Sequence, residues 1–257
     1  MGFSLDWLSF SFKPTLEMLE TGKDAFTLFL EEFPTIANNM DDAIIMNRTR
    51  FYDRVLKVND HIMISYCEED KSGYVQGVNV SIPSCGLAIL FDWFDLPDNR
   101  DTLKELFLFL QEHHCQLSRL DLAYDDYSKM ITPKDYARWY MDGWMSTKYS
   151  KIQFVASERD KGHTFYLGSR KTGKMLRVYD KEYESKGEIN AIRYEFELHR
   201  EFAREMMDYI IENGGLSFGN YLLSYFDIKN MSHTTDKTRA PREEKFDNWL
   251  RSQIFIR

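Results

Sequence analysis

Three stretches of the chain, residues 118–125, 176–181 and 192–198, alternate apolar and polar side chains with the period of a half-buried β-strand. Read at period two, Arg119, Asp121 and Asp125 share one face of the first stretch. Arg177, Tyr179 and Lys181 share a face of the second, and Arg193, Glu195 and Glu197 a face of the third. The opposite faces carry Leu120, Leu122, Tyr124, Leu176, Val178, Tyr194, Phe196 and Leu198, which is core material. A sheet built from these strands presents carboxylates, guanidiniums and a phenol on one surface.

Around this centre the same pattern predicts further elements. Residues 6–12 read as a strand and 21–33 as a helix stopped by Pro34. Residues 54–58 and 61–66, joined by Asn59-Asp60, read as a β-hairpin, and 74–82 as a strand ended by Pro83 and Gly86. A helix over 102–114 carries a capping-box pattern in Thr102 and Glu105. Thr132-Pro133 opens another to about residue 144, in which Trp139, Tyr140 and Trp144 take core spacing. Strands are expected at 152–156 and 164–167, then a helix at 200–212 closed by Gly214, with more helix to about Phe226. Early alternation of strands and helices, followed by clustered strands, predicts an α+β fold. Its sheet is mainly antiparallel with helices packed on one face, the two halves of the chain forming βαβ-like units. Residues 1–228 read as one domain and 229–257 as a polar, mildly basic C-terminal arm.

Composition narrows the class. A chain that is 43% hydrophobic and 15% aromatic can bury a real core. No apolar run approaches the roughly 20 residues of a membrane span, and the opening residues lack the pattern of a secretory signal. Cys67, Cys85 and Cys115 form no disulfide or metal spacing, so a cytoplasmic setting is expected. The net charge of −8 counts against non-specific coating of nucleic acid. Yet residues 148–186 are locally basic and include Arg170, Lys171, Lys174, Arg177 and Lys181. Such a zone reads either as a defined DNA path or as a solvated charged hairpin.

The chemistry follows from residue types. Carboxylates suit a hard divalent cation, guanidiniums and ammoniums suit phosphate, and a phenol can act as a nucleophile. Ionising a phenol at neutral pH costs about 4 kcal/mol without help. Arg177 and Lys181, two positions either side of Tyr179, are suitable cations, and Asp121, Asp125, Glu195 and Glu197 are candidate metal ligands. Tyr183 is the rival nucleophile, and an exposed ion-paired strand face is the plainer reading of the same alternation. Residues 168–174 match the first seven positions of a phosphate-binding P-loop, but Met175 stands where a Mg²⁺-ligating Ser or Thr is required. His113 and His114 are adjacent and would point about 100° apart on a helix, so they make a poor metal pair.

Four ordered segments carry a family resemblance: Ser-Arg-Leu-Asp-Leu-Ala-Tyr-Asp-Asp at 118–126, Gly-His-Thr-Phe-Tyr-Leu-Gly-Ser-Arg-Lys at 162–171, Leu-Arg-Val-Tyr-Asp-Lys-Glu at 176–182 and Ile-Arg-Tyr-Glu-Phe-Glu-Leu at 192–198. The series resembles the Rep_trans family, the rolling-circle replication initiators of Gram-positive plasmids with related relaxases of conjugative elements and phages. The opening segment, Arg239-Ala-Pro and Trp249 look familial too. The resemblance implies a site-specific endonuclease that nicks one DNA strand through tyrosine. It leaves a covalent 5′-phosphotyrosine and a free 3′-OH, and requires Mg²⁺ or Mn²⁺.

On this chain the nucleophile's role falls on Tyr179, supported by Arg177 and Lys181. Asp121 and Glu195, with Asp125 or Glu197 assisting, are the expected metal ligands. Arg170, Lys171, Lys174, Arg119 and Arg193 are the expected DNA contacts. A host helicase and a second copy of the chain are expected partners, and a membrane is not. Two other readings stay open: a non-catalytic DNA-binding relative, and a metal-dependent nuclease in which water attacks and the tyrosine stacks on a base.

Overall fold

Turn residues and alternation together dictate the strands. The structure, a computed structural model, describes residues 4–68, 77–96, 101–147, 149–156, 162–214, 226–228 and 236. The strands are β1 (Ser4–Phe12), β2 (Ile44–Met46), β3 (Arg54–Val58), β4 (Ile62–Tyr66), β5 (Val78–Pro83), β6 (Cys115–Asp126), β7 (Met145–Thr147), β8 (Ile152–Val155), β9 (Thr164–Ser169), β10 (Lys174–Asp180), β11 (Ile192–His199) and β12 (Phe226–Ile228). A ten-stranded sheet runs in the order β2-β3-β4-β5-β1-β6-β11-β10-β9-β8, and β12 pairs separately with β7. The pairs β2–β3, β3–β4, β4–β5, β5–β1, β11–β10, β10–β9 and β9–β8 are all antiparallel, as an α+β fold requires. The helices are α1 (Leu16–Leu19), α2 (Ala25–Glu32), α3 (Pro34–Ala37), α4 (Ser84–Trp93), α5 (Thr102–Glu112), α6 (Pro133–Met141), α7 (Lys181–Glu184) and α8 (Glu201–Asn213).

The chain forms two compact units, one built on residues 5–121 with 199–215 and the other on residues 122–198. In the first, β1 turns Leu8, Phe10 and Phe12 inward, all fully buried. Phe12 meets Phe29 of α2 at 5.8 Å between ring centroids, Phe33 meets Phe94 at 5.9 Å, and Phe94 meets Phe109 of α5 at 4.5 Å. The other face of β1 and β5 is a network of neutral polar groups. Ser9 and Ser81 hydroxyls lie 2.9 Å apart, and the Asn79 amide donates to Ser11 and Ser118. The β3–β4 hairpin turns at Asn59 and Asp60 with left-handed φ of 46° and 57°, and because Val58 pairs with Ile62, His61 joins them as a third loop residue.

In the second unit, α6 is capped as its sequence predicts: Thr132 and Asp135 satisfy each other's backbone N–H groups. This fixes Tyr136 against Phe165 at 5.6 Å and Tyr194 at 6.2 Å, so β9, β10 and β11 bury one face beneath α6. The β9–β10 connection closes on Gly173 at φ 78°. Lys174 then starts a strand, not the helix that a P-loop would need.

Several expectations are corrected. Thr102 is the first residue of α5 and Asp101 its N-cap, with no side-chain capping bond, so the capping box does not form. Pro34 both stops α2 and opens α3, where its missing N–H is harmless. Residues 84–93 form α4 directly after Pro83, where only the end of a strand was expected. Tyr140 and Trp144 are 47% and 38% exposed and not core; Tyr136 fills that role. Phe226 lies on strand β12, and the expected helix at 215–225, the start of the predicted strand at 74–76 and the arm from 229, Asp236 apart, lie outside the described residues. No described helix is long and apolar enough to cross a membrane.

Candidate functional site

Antiparallel pairing sets Arg177 of β10 opposite Glu195 of β11, Tyr179 opposite Arg193, and Met175 opposite Glu197. The Tyr179 hydroxyl donates to Glu195 Oε2 at 3.1 Å, and Arg177 Nη2 donates to Glu195 Oε1. Both oxygens of a carboxylate that is only 2% exposed are therefore engaged. Arg177 spends one N–H on this bond, and its buried Nε has no hydrogen-bond partner. The Arg177 guanidinium sits 5.2 Å, and the Lys181 ammonium 5.9 Å, from the centre of the Tyr179 ring. Lys181 also pairs with Glu184 at 2.5 Å at the start of α7.

The other carboxylates are held by two-toothed guanidiniums, the strongest geometry available to this pair of groups. Arg170 Nε and Nη2 donate to Glu197 at 2.7 and 3.1 Å, while the Arg170 side chain stays 64% exposed. Arg119 donates twice to Asp121 at 2.9 and 2.5 Å and lies 4.5 Å over the Trp7 ring. Arg193 grips Asp125 with two bonds of 2.7 Å.

Asp121, Glu195 and Glu197 each offer a carboxylate oxygen within 4.8 Å of the others, and all three residues are buried. A buried set of hard oxygen donors could hold a hard divalent cation. Asp125 stands outside the trio. It shares the parity of Asp121, but four residues of strand separate them by roughly 13 Å. Lys171 lies within the β9–β10 turn and Lys174 opens β10 just after it, whereas Tyr183 is 53% exposed on α7. His113 bonds Glu32 through Nδ1 at 2.7 Å, a pairing that periodicity along one helix does not announce.

The Tyr179 phenol is held well above its usual pKa near 10. Burial is the main cause and the Glu195 charge adds to it, while Arg193 and Arg177 pull the other way. For the Arg177 guanidinium, burial works against the charge and Glu195 outweighs it, so the group stays protonated. The site thus holds a protonated phenol against a carboxylate acceptor.

Tyr166 and Gln153 were missed by period alone. They continue the Glu195–Arg177 rung across β9 and β8, and only strand pairing brings them there.

The replication initiation factor family model matches residues 115–254, more than half of the chain. The chain belongs to the replication initiation factor family. A solved rolling-circle replication initiator protein from Geobacillus stearothermophilus has the same fold, with a TM-score of 0.78 at 18% sequence identity over 100% of this chain and 97% of that one. A sequence search of curated proteins finds no match. All three signature strands, β6, β10 and β11, begin within the family match, and Tyr179 and the acidic trio lie inside it.

Proposed function

We propose that this initiator starts rolling-circle replication by nicking one DNA strand, with Tyr179 as nucleophile. The observation that carries this reading is the Tyr179 hydroxyl donating to Glu195 Oε2 at 3.1 Å, beside the carboxylate trio. The phenolic oxygen attacks the scissile phosphorus while its proton passes to Glu195. The P–O bond to the 3′ oxygen breaks, the 3′ oxygen takes a proton from solvent, and the 5′ phosphate stays esterified to Tyr179. The ester conserves the energy of the broken phosphodiester, so strands can be rejoined without ATP. Arg177 and Lys181, both near the ring, meet the charge that gathers on the phosphate.

Asp121, Glu195 and Glu197 would hold Mg²⁺ or Mn²⁺, which supplies charge neutralisation for the phosphate and for a phenol that burial otherwise keeps protonated. Asp125 takes a different part, fixing Arg193 opposite Tyr179 on the neighbouring strand. Arg170, Lys171 and Lys174 are the DNA contacts of this reading, while Arg119 and Arg193 hold carboxylates in place. A cytoplasmic setting, a host helicase to open the duplex and a second protein copy complete it.

The test is to incubate the protein with Mn²⁺ and single-stranded oligonucleotides from its own genetic element, then resolve the products on a denaturing gel and by peptide mass. A covalent adduct on the peptide carrying Tyr179 is the expected result. Cleavage without an adduct would assign the attack to water, and tight binding without cleavage would mark a non-catalytic relative.

A further inference from the structure

A cavity of about 450 Å³ opens on the β8–β9–β10 face, within the size range of small-ligand sites. Lys151, Gln153, Tyr166, Arg170, Lys171 and Arg177 line it. Three of these belong to one cross-strand rung with the catalytic carboxylate: Glu195 pairs with Arg177, Arg177 with Tyr166, and Tyr166 with Gln153. The rung runs outward to β8, the edge strand of the sheet.

Gly168 forms part of the lining at a position where only glycine fits. Its φ is +83°, and a Cβ there would sit 2.4 Å from the Lys174 carbonyl oxygen and 2.6 Å from the Tyr149 ring. The neighbouring rung therefore presents no side chain between Met175 and Lys151.

The charge in the cavity is unusual for so acidic a chain. Arg170 and Arg177 are balanced by Glu197 and Glu195, but Lys151 and Lys171 have no ion-pair partner among the described residues. Two uncompensated ammoniums call for an anion. Beside them lie a phenol ring, whose face can stack on a base, and an exposed primary amide that offers both a donor and an acceptor.

We infer that this cavity is a nucleotide subsite for single-stranded DNA, holding a nucleotide next to the scissile phosphate with its base on Tyr166 and its phosphate between Lys151 and Lys171. The inference rests on the nicking function proposed above, because the Arg177 rung joins the cavity to Tyr179 and Glu195. Gln153 reads the base edge, so one position of the nick site at a fixed distance from the cut is selected here. Phosphate contacts hold the strand in register and the amide supplies discrimination.

Binding of a fluorescent oligothymidylate to the full chain, followed by anisotropy over a salt series, tests this. Loss of one stacked base predicts that Tyr166→Ala binds about 5- to 150-fold more weakly, while Tyr166→Phe binds as the unaltered chain does. Lys151→Ala and Lys171→Ala should each reduce the slope of log K against log salt by about 0.7. Both lysines are exposed, so these variants remain informative if Tyr166→Ala fails to fold.

Unaltered affinity and salt slope in both lysine variants would overturn the subsite. A loss in Tyr166→Phe equal to that in Tyr166→Ala would overturn stacking. The two proposals fail separately. A strand bound through Tyr166 and the lysines that never becomes joined to Tyr179 removes nicking and keeps the subsite. An adduct formed on Tyr179 by a Tyr166→Ala protein of normal affinity does the reverse.

Discussion

Tyr179 and Tyr194 are neighbours across β10 and β11, on opposite faces and one residue apart in register. They are 8% and 3% exposed, and burial lifts both phenols well above a pKa of 10. Their surroundings differ in charge. Tyr194 meets another phenol, accepting from the Tyr136 hydroxyl at 3.4 Å, beneath the rings of α6 and β9. Tyr179 meets a carboxylate that can take its proton and two guanidiniums that favour the phenolate. Burial alone silences a phenol. A nucleophile needs burial together with an acceptor and compensating cations, and only one face of this sheet supplies them.

The sharpest way to break the comparison is to remove each hydroxyl in turn. Tyr179→Phe is expected to abolish the covalent DNA adduct with the fold intact, whereas Tyr194→Phe retains it; gel detection of the adduct separates the two. An adduct persisting in Tyr179→Phe would move the nucleophile, with Tyr183 the next residue to test.

Glu195→Gln keeps the volume and removes both the acceptor and a ligand charge. Adduct formation should slow about 10²- to 10⁴-fold, the usual worth of a positioned acid–base group. The Tyr179 phenol should also ionise at lower pH, because a charge that raises its pKa is gone. Ultraviolet titration against the Tyr179→Phe background reads that shift, and an unmoved titration would show that the carboxylate does not act on this phenol.

On the other face, stability and not chemistry is at stake. Phe165 is 1% exposed and stacked on Tyr136, so Phe165→Ala should cost about 3–5 kcal/mol in denaturant unfolding. The adduct should still form at temperatures where this variant is folded.

The two faces were unequally legible in the sequence. Period-two alternation assigned Tyr179, Arg177, Glu195 and Glu197 to one side and Val178, Tyr194 and Phe196 to the other, because parity within a strand is local. It could not rank Asp125 against Glu197, since both have the right parity and only register shows which carboxylate enters the trio. Tyr166 and Gln153 were invisible for the same reason: their place beside Arg177 arises from pairing between strands. Helix α4 was hidden by Pro83-Ser84-Cys85-Gly86, which has turn composition although Gly86 is buried against Ile82 and His61. The Thr102–Glu105 pattern misled because the N-cap position falls one residue earlier, on Asp101, which makes no side-chain capping bond and has a backbone at φ −99° and ψ −1°.

The smallest expected effect concerns pH and the silent face. In the unfolded chain phenols ionise near 10, but in the fold Tyr124 is pushed up to about 12 and Tyr136 and Tyr194 well above 10, with burial the main cause in each. The folded state therefore keeps these protons after the unfolded chain has lost its own. Their contribution to stability is fully present below pH 10 and is lost as pH rises toward and through the folded values. Tyr136→Phe removes one such group and the hydroxyl that donates to Tyr194, so it should cost about 1 kcal/mol at neutral pH. Above pH 10 the variant has one fewer phenol to ionise on unfolding, and its deficit should shrink and then reverse. Denaturant unfolding of both proteins at neutral pH and again in alkali measures this directly. A deficit unchanged across that range would mean that the Tyr136 hydroxyl does not stay protonated because of the fold, and the contrast with Tyr179 would then have to rest on charge alone.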